Sequence, residues 1–436
     1  MNTKNFAFFD YFIFTAVLLL VTIGIFFIYS SGINSEKVLV SNEYIKQIFF
    51  AVSGLFLMLG VSLFDYRKLR RFAPWLFVFL IVILLYTKLF GRYVNGARSW
   101  IGIGELGIQP SEFCKILFII FLAWYLEKTR ELTSQKKRFL TATLIFLVPV
   151  GLILLQPDLG TASVYIPIFL IMCYVAGVPI RYIMIIFIGG MLTIFFTVLP
   201  IWEADIYRKS VPIISLLTNM KLRLILILIF AIVSLLSLSG YIFFKAKYYY
   251  WICYVSCIIT AALILSILAG KVLKPYQINR LIIFLNPETD PLGAGWNIRQ
   301  SKTAIGAGGF WGQGFLKGTQ SHYRYLPQQS NDFIFSILSE EWGFMGCILV
   351  FILYLVILIR GIIIIKNTNN NFGYYISAGI TFMFFFHFIV NVGMVMGIMP
   401  ITGIPLLFLS YGGSSLWTAM IAVGLLMSIN FRRLEF

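Results

Sequence analysis

In this 436-residue chain the charged side chains set inside or at the edges of apolar runs are the ones that could do chemistry. Asp332 stands immediately before the long apolar run that opens at Phe333. A carboxylate there has two readings of equal weight. It could be the N-cap of a helix, a role open also to Ser330 and Asn331. It could instead be a general base where a watery cleft meets an apolar wall, since desolvation favours proton uptake. Continuing that helix places Ser336 and Glu340 on one stripe, with Glu340 about 12 Å deeper at a rise of 1.5 Å per residue. Carboxylates at such depth are costly and mark function by default.

Glu112 and Lys115 sit three residues apart at the start of another run. They read as an i,i+3 ion pair, or as a lysine facing a cleft and ready for phosphate. Asp158, in Gln156-Pro157-Asp158-Leu159-Gly160, reads more readily as a helix cap than as a catalytic group. Arg98 is either a site cation or an arginine snorkelling to headgroups. A glycine cluster runs from Gly306 to Gly318, behind Asn286-Pro287-Glu288-Thr289-Asp290-Pro291. It lacks the Gly-Lys-Ser/Thr ending and the strand context of a phosphate loop, which excludes nucleotide binding. The cluster is a flexible loop, or one that folds closely over a bulky substrate. With only His322 and His387 there is little scope for a His-rich metal site, and no haem is expected.

The elements that must hold these groups follow from composition. The chain is 60% apolar and 12% charged, with mean hydropathy +0.92. Soluble domains carry roughly a quarter charged residues, so only an all-α, polytopic helical membrane protein fits. Apolar runs fall near 11–29, 45–64, 72–90, 111–126, 139–155, 160–176, 181–200, 222–244, 248–269, 333–359, 373–398 and 404–430, which predicts twelve spans. The run holding Gly393, Gly397 and Pro400 should break before its end. No domain-sized polar region and no internal repeat is visible, so 1–436 is read as one membrane domain.

The net charge of +17 belongs beside anionic membrane lipids, not nucleic acid, because the basic residues sit in short stretches between apolar runs. With the N-terminus inside, seventeen basic residues and five acids face the cytoplasm, Lys4, Arg67, Lys68, Arg70, Arg71 and Arg138 among them. The outer side holds sixteen basic residues and twelve acids, with the basic residues mainly in long segments; the two longest are 90–110 and 270–332. Both termini are therefore expected in the cytoplasm, and the working surface outside. Lys4 precedes an anchor, not a cleavable signal. The five cysteines fall in apolar runs and read as buried thiols.

Four stretches carry a resemblance. GARSWIGIGELGIQPSEFCK at 96–115, QPDLGTA at 156–162, the run from Tyr276 to Ser321, and NVGMVMGIMPITGIPLLFLSYGGSS at 391–415 resemble, in order, the SEDS family that includes RodA, FtsW and SpoVE. The 276–321 run is most similar to the elongation type. The resemblance implies a ten-span core and a peptidoglycan glycosyltransferase that polymerises lipid II at the outer face of the bacterial inner membrane. It implies a class B penicillin-binding protein as partner. It places the family's essential aspartate on Asp332, and puts Arg98, Glu112, Lys115, Asp158 and Lys302 around a central cavity. Asp332 would take the proton of the acceptor GlcNAc 4-hydroxyl. That oxygen would then attack the donor MurNAc anomeric carbon, displacing undecaprenyl diphosphate with inversion. A divalent cation, Mg or Mn, is a candidate cofactor with unassigned ligands.

Two departures stand out. Where family members read like LPERHTDFIF, this chain reads LPQQSNDFIF, so Gln328, Gln329, Ser330 and Asn331 replace charged and imidazole groups. Residues 201–275 form an additional segment with two apolar runs about Lys245 and Lys247, expected as an inserted hairpin, and 276–332 as a large outer loop carrying the site. The rival functions are a lipid II flippase and a non-catalytic scaffold.

Overall fold

A computed structural model describes residues 9–94, 96–103, 106–131, 133–203, 211–272, 275–291, 293–323, 325 and 329–433. Lys4 and Gln328 fall outside these residues, as do 204–210 and 273–274 of the additional segment. The chain divides into two compact units, 1–178 with 296–436, and 179–295.

The larger unit begins with α1 (Tyr11–Ser31), α2 (Glu43–Leu63) and α3 (Leu69–Phe90). A small antiparallel sheet follows, β1 (Arg92–Val94), β2 (Ala97–Ile103) and β3 (Leu106–Ile108), with Tyr93 opposite Arg98 and Ile101 opposite Ile108. Bulk composition hides this sheet, because thirteen strand residues barely register in so apolar a chain. Next come α4 (Pro110–Lys128), α5 (Gln135–Leu155) and α6 (Leu159–Val175). The smaller unit holds α7 (Ile180–Trp202), α8 (Pro212–Thr218), α9 (Met220–Phe244), α10 (Lys247–Val272) and α11 (Pro275–Leu285). In it α10 packs on both α9 and α7, and Tyr254 donates to the Arg181 carbonyl at 2.6 Å. Lys245, at φ 54°, makes the tight turn between α9 and α10.

The helix α12 (Ala294–Gly308) leads into the second part of the larger unit, with α13 (Thr319–His322), α14 (Ile334–Asn367), α15 (Asn371–Val395) and α16 (Gly413–Phe431). The segment expected as a large outer loop is thus largely helical. Ten helices among the described residues are long and apolar enough to cross a membrane. The charged α4, with 19 residues, and the short α6, with 17, occupy the other two apolar runs. Within the larger unit, α16 packs on α2, α14 on α1 and α15, and α15 on α4 and α6.

The expected run 404–430 is helical only from Gly413. Pro405 and two glycines at positive φ, Gly403 and Gly412, break what precedes it. Yet Ile404 and Leu406–Ser410 are buried. Irregular backbone inside an apolar protein survives only when its polar groups find partners. Here side chains from distant helices supply them. Asn391 Nδ2 donates to the Ile404 carbonyl at 2.8 Å, Gln47 Nε2 to that of Ser410 at 3.2 Å, and the Tyr354 hydroxyl to that of Leu407.

At the far end of this unit, arginines close helix ends and pair with acids. The buried Arg138 donates to the carbonyls of Ala176 (2.8 Å) and Leu126. Arg360 meets Asp10 at 2.7 Å, and Asp10 itself caps α1 through the Ile13 N–H. Asp65 takes Arg67 at 3.1 Å and Arg432 at 3.8 Å. Burial alone raises the Asp65 carboxyl, and the hydrogen bonds and charge of Arg67 outweigh it, leaving it below the usual carboxylate range.

Candidate active site

Asp332 lies half-buried one residue before Phe333, which holds the N-cap position of α14 and makes no side-chain cap. The segment leading to it is pinned by its carbonyls. Tyr411 N–H donates to Ser330 O at 2.8 Å, Ser410 Oγ to Asn331 O at 2.7 Å, and Asn391 Nδ2 to Asp332 O at 3.0 Å. The irregular stretch before α16 and the approach to Asp332 therefore brace each other, with Asn391 bonded to both. A carboxylate on so fixed a backbone is preorganised for one position.

One helical turn before Asn391, about 6 Å along α15, His387 Nε2 lies 3.1 Å from Lys115 Nζ. Lys115 also donates to Glu112 Oε2 at 2.7 Å, so the expected i,i+3 pair exists, but deep in the protein. At the start of α4, Gln109 N–H donates to Ser414 Oγ at 2.9 Å and Gln109 Nε2 to Asp158 Oδ2 at 2.7 Å. Asp158 caps α6, accepting from Thr161 N–H at 3.1 Å and Thr161 Oγ1 at 2.9 Å. Its capping role is real, and the same carboxylate ties α6 to α4.

Arg98 on β2 and Lys302 on α12 are exposed, and neither has an ion-pair or hydrogen-bond partner among the described residues. The neighbouring Ser301 fixes α12 by donating to Val395 O at 2.6 Å and meeting Ser336 Oγ at 2.8 Å. Ser336 thus serves packing on the stripe below Asp332.

Glu340 is fully buried and serves another purpose than the expected stripe toward Asp332. Its carboxylate accepts from Gln320 N–H (2.7 Å), Ser321 N–H (3.2 Å) and Thr319 Oγ1 (3.1 Å), holding the loop that carries α13. Glu341, equally buried, accepts from Ser30 Oγ and Leu316 N–H and faces His322 Nε2 at 3.6 Å. The glycine cluster explains itself here. α14 kinks at Gly343, φ 63°, and a Cβ on Gly312 would overlap the Glu341 carbonyl. These glycines let the loop lie backbone to backbone on the kinked helix, with Gln313 N–H donating to Glu340 O at 3.0 Å and Gly314 N–H to Glu341 O at 2.9 Å. The close approach is to a helix, where the sequence suggested a substrate.

Sequence reasoning missed His387, Asn391, Gln47 and Gln109. Each is a polar residue alone in or beside an apolar run, which is the signal that could have found them. Among the described residues no three His, Cys, Asp or Glu side chains converge as a metal-ligand group.

The sequence profile of the FtsW, RodA and SpoVE family, described as a cell cycle protein, matches residues 10–221 and 210–434. The chain is 53% identical over 434 residues to the peptidoglycan glycosyltransferase RodA of Treponema pallidum, covering 100% of both. It is 33% identical over 419 residues to the stage V sporulation protein E of Bacillus subtilis, covering 95% of this chain and 94% of the relative. Its fold resembles a chain from a study of polymerization and crosslinking by a peptidoglycan synthase complex, with TM-score 0.67 and 24% identity over 98% of this chain and 99% of that one. It also resembles the rod shape determining protein RodA of Thermus thermophilus, with TM-score 0.60 and 21% identity over 98% of both.

Proposed function

The chain belongs to the FtsW, RodA and SpoVE family, and on that premise we propose that it is a peptidoglycan glycosyltransferase that polymerises lipid II during cell elongation. It is a multi-pass protein of the inner membrane. The observation that carries the catalytic reading is Asp332, a half-buried carboxylate on a backbone braced by Asn391, Ser410 and Tyr411, at the end of the larger unit where α4, α6 and α14 all begin.

In the proposed reaction Asp332 accepts the proton of the acceptor's GlcNAc 4-hydroxyl as that oxygen bonds to the donor's MurNAc anomeric carbon. The bond to undecaprenyl diphosphate breaks with inversion, and its electron pair leaves on the diphosphate. Arg98 and Lys302 suit the growing negative charge because both are exposed and have no protein counterion among the described residues. Lys115 contributes its charge from within, while Glu112 and Asp158 organise the floor by holding Lys115 and Gln109.

The site faces outward in this reading, with both termini in the cytoplasm, and twelve helices span the membrane. The extra pair, α9 and α10, belongs to an insertion at 201–275. The family match comes in two stretches, 10–221 and 210–434, which overlap inside that segment. A reporter fused near Lys247 should map to the cytoplasm, and an outside signal removes the inserted hairpin. The crosslinking partner is a penicillin-binding protein, of class B by family resemblance. Purified protein with that partner and labelled lipid II should make glycan chains. A flippase would move lipid II across a vesicle bilayer without lengthening it.

A further inference from the structure

The Lys115 ammonium has three N–H donors. One goes to Glu112 Oε2 at 2.7 Å and one to His387 Nε2 at 3.1 Å, and among the described residues no acceptor takes the third. All three residues are at most 4% exposed. An ammonium facing Nε2 needs a lone pair there, and the Pro405 carbonyl 3.1 Å from Nδ1 needs a proton. These two demands select the neutral Nδ1–H tautomer of His387. Pro405 lies in the irregular stretch, one residue after Ile404, whose carbonyl Asn391 holds. His387 thus links the lysine to the same backbone that braces Asp332.

We propose that His387 is a positioning residue: together with Glu112 it fixes the buried Lys115 ammonium so that its positive charge is held in one place and orientation. This rests on the glycosyltransferase reading for what that charge acts on, the diphosphate of the lipid-linked donor. The fixing of Lys115 itself does not. Without His387 the ammonium swings to Glu112 alone, and its charge is no longer held where the leaving group forms.

Two measurements test it. The chain has only two histidines, so nitrogen NMR on 15N-histidine-labelled protein carrying His322→Gln reports on His387 alone. A protonated Nδ1 with a bare Nε2, whose signal shifts in Lys115→Met, is expected. A protonated Nε2, or no response to Lys115→Met, overturns the proposal. In lipid II polymerisation with the partner, His387→Leu should lower kcat about tenfold or more while KM changes less than about threefold. His387→Gln, which can accept from Lys115 and donate to Pro405, should restore most of that rate. A leucine variant with wild-type kcat, or a glutamine variant no better than leucine, overturns it. If the NMR result holds but wild-type protein makes no glycan, the functional reading falls and the positioning of Lys115 stands.

Discussion

The two ends of the larger unit use charge in opposite ways. At the far end the charges satisfy each other: Arg360 with Asp10, Arg67 and Arg432 with Asp65, Arg70 with Glu127 at 3.0 Å, and Arg138 on the last carbonyls of neighbouring helices. At the Asp332 end the acids are committed to the protein's own donors, as Asp158 and Glu340 show, while Arg98 and Lys302 stand exposed without a partner among the described residues. Paired charge stabilises a helix bundle. Exposed cations without a counterion among the described residues are a place for an anion. The lesson is that stability and function can be told apart here by what each charge is bonded to, though both ends are rich in basic residues.

That contrast can be broken or sharpened by substitution. Replacing both Arg98 and Lys302 with glutamine should cut lipid II polymerisation roughly a hundredfold in kcat/KM, since each removes charge stabilisation of the leaving group. The unfolding temperature in detergent should stay near wild type. Arg360→Met should do the reverse. It leaves the Asp10 carboxylate, whose side chain is fully buried, without its cation, at a cost of about 3 kcal/mol. Unfolding should come at lower temperature, with turnover unchanged below it. Glu340→Gln keeps the shape but weakens three charge-assisted bonds to the loop, so about 1–2 kcal/mol and easier proteolysis near Gly318 are expected.

The smallest effect should come from Asp65→Asn. This pair is partly exposed and contributes under about 1 kcal/mol. Because the folded carboxyl lies below its ordinary value of 3.8, its contribution is present above that value and is lost as pH falls through the folded one. Wild type and Asp65→Asn should thus differ in unfolding temperature at neutral pH and converge in acid.

Much of this was legible in the residues themselves. Period and hydropathy locate the long helices because a bilayer-length apolar run has few alternatives, and the Glu112–Lys115 pair and the Asp158 cap depend only on neighbours in the chain. What escaped depends on contacts between distant residues. Nothing near Gln47 says that it holds Ser410, and nothing near His387 says that it faces Lys115. The glycines from Gly306 to Gly318 announce a close approach but not its target, which is the kink at Gly343 and not a ligand. Asp332 could be read locally as a cap, and only the fold shows that Phe333 occupies that position.

The central claim is that Asp332 serves as the base of a polymerase. It is tested most directly by the length of glycan made from labelled lipid II by purified protein with its partner, comparing wild type, Asp332→Asn and Arg360→Met below their unfolding temperatures. Long chains from wild type and Arg360→Met, with a loss of about a thousandfold or more in Asp332→Asn, are expected. Undiminished polymerisation by Asp332→Asn would contradict the assignment.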